Sequence, residues 1–69
     1  MKNKDISILL LLNTLEKTDQ EHPVSMDLIR YRMLSRGVRQ TEKEVREDIG
    51  ILIKSGKNVK EDNKEFWMA

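Results

Sequence analysis

Apolar residues in this chain fall into stretches separated by polar breaks, and each stretch has its own periodicity. From Ser7 to Leu15 the run is almost continuous. At ~100° per residue, Ile6, Ile8, Leu9, Leu10, Leu11, Leu12 and Leu15 spread round the whole cylinder and form no single stripe. The pattern predicts a helix over about residues 4–17 that needs neighbours on several sides. Two arrangements supply them: a central core helix wrapped by the rest of the domain, or a helix packed partly on a second copy, which would make a homodimer through the first helix.

After the break from Asp19 to Pro23, Met26, Ile29 and Met33 recur at i, i+3 and i+7 with Leu34 beside them, so a second helix is expected over 25–35. Ser25 suits its N-cap, Asp27 its positive end, and Gly37 the left-handed position that stops it, with Val38 folding back. Thr41-Glu42-Lys43-Glu44 then reads as a capping box opening a third helix over 41–55. Val45, Ile49 and Leu52 line its inner face, with Ile53 at the edge. Lys43, Arg46, Glu47 and Gly50 point outward, and Glu42 and Asp48 fall toward the flanks. Beyond Gly56, Val59 and Phe66-Trp67-Met68 flank a polar turn from Glu61 to Lys64, as in a two-stranded hairpin over about 57–68. An isolated hairpin is marginal in water, so Phe66 or Trp67 should anchor it to the helices.

Composition narrows the class. With 69 residues, 38% of them hydrophobic, the chain makes one small domain, and a multidomain enzyme is excluded. Such a domain hides only about 60% of its unfolded surface, and its core seldom supplies more than roughly 3–5 kcal/mol. The absence of cysteine removes disulfides, thiolate catalysis and cysteine zinc sites, and fits a reducing cytoplasm. The basic start MKNK before a Leu-rich run raises the question of a secretory signal. The unbroken apolar stretch from Ile8 to Leu12 is too short for one, or for a membrane span, and N-T-L-E-K is no cleavage site, so no membrane association is expected. No phosphate-binding glycine loop, paired-carboxylate motif or nucleophile motif occurs. His22, in Glu21-His22-Pro23, reads as a solvated loop residue. No enzyme activity, cofactor or metal is therefore expected, and no small-molecule ligand is inferred.

Net charge is only +1, but it is unevenly placed. Residues 25–41 hold four arginines, Arg30, Arg32, Arg36 and Arg39, against Asp27 alone, whereas residues 42–54 hold three basic and four acidic side chains.

The order helix, helix, glycine turn, helix, hairpin is that of a winged helix-turn-helix. The segment GVRQTEKEVREDIGILIKSG, from Gly37 to Gly56, resembles the G-V-S-x-x-T-V-x-R-D-[IL]-x-x-L-x-x-x-G signature of DeoR-like and WYL-type bacterial transcriptional regulators. Gly37, Val38, Thr41, Val45, Asp48, Ile49, Leu52 and Gly56 carry the likeness. The chain departs from it by Arg39 and Gln40 in the turn, by Glu44 for a small hydroxyl residue and by Glu47 for arginine. The resemblance implies an α+β fold of three helices with a β-hairpin wing, and sequence-specific binding of double-stranded DNA that regulates transcription by site occupancy. On that reading the third helix enters the major groove with Gln40, Lys43, Arg46 and Glu47 near base edges, and Gly50 permits close approach. Backbone amides at Thr41, with Arg36 and Arg39, would hold phosphates. Lys57, Lys60 and Lys64 would set the wing on the backbone or in the minor groove, although lysines on a hairpin also guard against edge-to-edge aggregation. Two alternatives stay open: a winged-helix module that grips a protein through the first and third helices, and an N-terminal piece of a larger regulator.

Overall fold

A computed structural model describes residues 3–69, so that Met1 and Lys2 of the MKNK start lie outside the described residues. The elements run α1 (Asn3–Glu16), β1 (Val24–Ser25), α2 (Met26–Ser35), α3 (Glu42–Lys54), β2 (Val59–Asp62) and β3 (Glu65–Met68). The three expected helices and the hairpin are present, and the fold is α+β with a winged layout.

Local chemistry accounts for the helix ends. Ser25 caps α2 by accepting the Leu28 N–H, and Thr41 and Glu44 exchange both bonds of a capping box at the start of α3. At the far end of α2, Gly37 sits at φ +82°, its N–H bonded to the Leu34 carbonyl and that of Val38 to the Met33 carbonyl. Gly56, at φ +99°, ends α3 in the same way, with bonds from Gly56 to Ile53 and from Lys57 to Leu52. These are Schellman closures, in which glycine takes the left-handed position without Cβ strain.

One cluster forms the core: Leu11 and Leu15 of α1, Met26, Ile29 and Met33 of α2, Val45, Ile49 and Leu52 of α3, and Val24 and Phe66 of the sheet. Helix α1 packs against α2, α3 and β3, which accounts for its apolar residues on several sides. Its most buried arc includes two hydroxyls, Ser7 and Thr14, while Leu9 is 50% exposed. Leu34 and Ile53, expected beside the inner faces of α2 and α3, are instead about half exposed, at 51% and 50%. Each lies one step off the arc that the neighbouring helix covers.

The sheet has three strands, ordered β1-β3-β2 and antiparallel throughout, where the alternation pattern predicts only two. Val24 pairs with Phe66 and Ser25 with Glu65, and the Met26 N–H donates to the Lys64 carbonyl at 3.1 Å. The hairpin is thus joined to the start of α2. Its turn is tighter than expected. Glu61 and Asp62 belong to β2, and only Asn63 and Lys64 turn, both at positive φ (54° and 63°) as a two-residue I′ loop demands. Phe66 is the anchor, fully buried, which stabilises by about 1.5–3 kcal/mol. Trp67, on the opposite face of β3, is half-buried. Among the described residues no helix is long and apolar enough to cross a membrane.

Candidate nucleic-acid interface

Lys43 and Glu47 project from α3 into solvent, and a Cβ added at Gly50 would meet nothing within 4 Å. This face of the helix is left open by its own chain. Lys57, Lys60 and Lys64 are likewise exposed. Lys60 lies on the sheet face shared with Trp67, its cross-strand partner, while Lys64 Nζ stands 4.0 Å from Glu42 Oε2.

Arg46 is more constrained than its outward heading suggests. Glu61 pairs with Phe66 across the hairpin, so both face the helices. Arg46 reaches over this face: Nη1 and Nη2 each donate to a Glu61 carboxylate oxygen at 3.0 Å, and Nε donates to Glu42 at 3.4 Å. Its guanidinium also lies over the Phe66 ring, 5.6 Å from the centroid. The bidentate bond to Glu61, helped by the charges of Glu61 and Glu42 and only partly opposed by burial, holds the Arg46 proton more tightly than usual. Arg46 therefore joins α3 to the wing. Its sequence spacing gave no sign of this, because Glu61 lies fifteen residues away on an element whose register is set by the turn.

Gln40 and Asp48 require a correction. The carboxylate expected on a flank of α3 is fully buried, accepting from Ser7 Oγ at 2.8 Å and Gln40 Nε2 at 2.9 Å. Gln40 thus turns inward, away from where base edges would lie. Its carbonyl meanwhile accepts from Arg30 Nε at 3.0 Å, which fixes the turn from α2 to α3.

The expected phosphate site at the start of α3 is also partly occupied. The Thr41 N–H donates to Glu44 Oε1 at 2.9 Å, the Glu44 N–H donates to Thr41 Oγ1 at 3.2 Å, and Glu42 and Glu44 already place negative charge at the positive end of the helix. The two arginines expected there are parted. Arg39 lines a cleft of about 280 Å³ with Arg30, Tyr31, Leu34 and Gln40. Arg36 instead lines a groove between α1 and α2 with Lys17 and Arg32.

Comparison with family models, curated proteins and solved structures gives no match to this chain.

Proposed function

We propose that this protein binds double-stranded DNA, with the open face of α3 lying along the major groove and the hairpin alongside it. The observation that carries this reading is that Lys43, Glu47 and Gly50 stay uncovered on a helix with Arg39 just before its start and a lysine-bearing hairpin braced to its flank by Arg46. Lys43 and Glu47 are the side chains offered to base edges, Arg39 and the three wing lysines those offered to phosphates. Arg46 acts by positioning, fixing the angle between helix and wing. The mode of action is occupancy of a site, suited to transcriptional regulation.

Fluorescence anisotropy with mixed genomic duplex fragments at low and physiological salt tests the proposal. Neutralising about 3–5 phosphates would make log affinity fall with log salt at about −0.9 per contact. A folded protein that binds no duplex at low salt would overturn it. That result would favour a protein partner, a reading supported by the way Glu61 and Glu42 neutralise Arg46 and leave α3 an outer face of balanced charge.

A further inference from the structure

Away from the face of α3, α1 and α2 enclose a groove of about 430 Å³ near their C-terminal ends. Three cations line it, Lys17 from just beyond α1 and Arg32 and Arg36 from the end of α2, and no acidic side chain does. Among the described residues none of the three takes part in an ion pair. What sets them apart is that they share one lining, because a concave, single-sign surface concentrates potential where an anion would relieve it. Cations at helix C-termini complement the helix dipole, but that alone would not require three of them to share one cavity.

The remaining polar liners define the ligand further. Thr14 Oγ1 donates to the Leu10 carbonyl at 2.9 Å and Ser35 Oγ to the Arg32 carbonyl at 2.8 Å. Each hydroxyl hydrogen is thus committed to backbone, which leaves the two oxygens as acceptors. They suit a ligand's own hydroxyl groups, while Asn13 offers both donor and acceptor. Leu10 is the one apolar liner. The volume lies within the ~300–1,000 Å³ usual for small-molecule sites, and the polar lining selects against an apolar occupant.

From this we infer that the α1–α2 groove binds a small phosphorylated, hydroxyl-bearing molecule such as a nucleotide or a sugar phosphate, its phosphate held by Arg32, Arg36 and Lys17. The groove shares no liner with α3, so the inference does not depend on DNA binding. It assigns Arg36 to an effector-type site and removes it from the duplex interface.

The test is an amide NMR titration of the whole chain with ATP, glucose 6-phosphate and pyrophosphate, and separately with a short duplex. Saturable shifts confined to residues 10–17 and 32–36 with at least one small probe are expected. Arg32→Gln with Arg36→Gln should weaken that binding at least tenfold, while Lys57→Gln with Lys60→Gln should change it less than twofold. Thermal melts of both double variants confirm that they remain folded. The inference is overturned if no small probe saturates these amides at millimolar concentration, if only the duplex shifts them, or if both double variants weaken binding equally. Destabilised Arg32 and Arg36 variants in a protein that binds no probe would assign these cations to the helix dipoles alone.

Discussion

Replacing Asp48 with alanine should come close to unfolding the domain. This carboxylate is fully buried, and among the interactions of the described residues it accepts from two distant segments, the Ser7 hydroxyl of α1 at 2.8 Å and the Gln40 amide of the α2–α3 turn at 2.9 Å. A buried donor deprived of its acceptor costs about 1–3 kcal/mol; Ser7 is buried and Gln40 half-buried, so together they cost about 2–4. A domain of this size has roughly 3–5 kcal/mol in all. Ser7 and Gln40 donate to the same oxygen, Oδ2, so Asp48→Asn can keep both bonds through its amide oxygen but loses their charge assistance, and should lose about 1–3 kcal/mol. Ser7→Ala removes one donor and should lose about 1 kcal/mol. Urea unfolding followed by far-UV circular dichroism measures all three, and the Asn and Ser7 variants keep the test informative if the alanine variant does not fold. A double-mutant cycle between positions 7 and 48 should show coupling above about 0.5 kcal/mol. An Asp48→Ala protein within about 1 kcal/mol of the parent, or strict additivity with Ser7→Ala, would refute the idea that this carboxylate ties the helices together.

Three further outcomes are expected. Gly50→Ala should stabilise the free protein by about 1 kcal/mol, because an interior helical glycine is replaced where a methyl meets nothing; it should also weaken duplex binding, and a rise in melting temperature with unchanged affinity would mean that no groove approaches Gly50. Glu61→Gln should release Arg46 toward phosphate and steepen the salt slope of duplex binding by about 0.9, a gain that Arg46→Ala in the same background should remove; an unchanged slope contradicts it. The Asp19 carboxyl is held below its ordinary 3.8, first by the His22 backbone N–H and then by the His22 ring, with burial opposing. Because its folded value lies below the unfolded one, its contribution is complete above the unfolded value and is lost as pH falls through the folded one. Carboxyl carbon NMR should place the midpoint below 3.8 and His22→Ala should return it only part of the way, since the main donor is backbone; a midpoint at or above 3.8 contradicts the contact.

Helix limits were legible because their signals are local: Ser25, Thr41 with Glu44, Gly37 and Gly56 each act within four residues. What escaped depends on distance along the chain. Strand β1 is two residues long, too short to show alternation, and its partner Phe66 lies far downstream. Asp48 sits on the same helical arc as Val45 and Leu52, so periodicity pointed inward. The usual exposure of carboxylates argued the other way, and the pairing with Ser7 and Gln40 that reverses that rule spans 41 and 8 residues. At the candidate interface the outward heading of Lys43, Glu47 and Gly50 could be read from the wheel. The diversion of Arg46 onto Glu61 and the separation of Arg36 from Arg39 needed the tertiary fold.

The middle place of β3 in its sheet has a mechanical meaning. One side of that strand is hydrogen-bonded to the segment leading into α2 and the other to the hairpin arm that grips Arg46, so a swing of the wing would have to break bonds on two fronts. The wing and helices therefore meet any partner as one preorganised body, with little ordering entropy left to lose on contact. Capture should then be governed by diffusional encounter and long-range steering, and a mutation loosening β1 from β3 should slow association without touching a single contacting side chain.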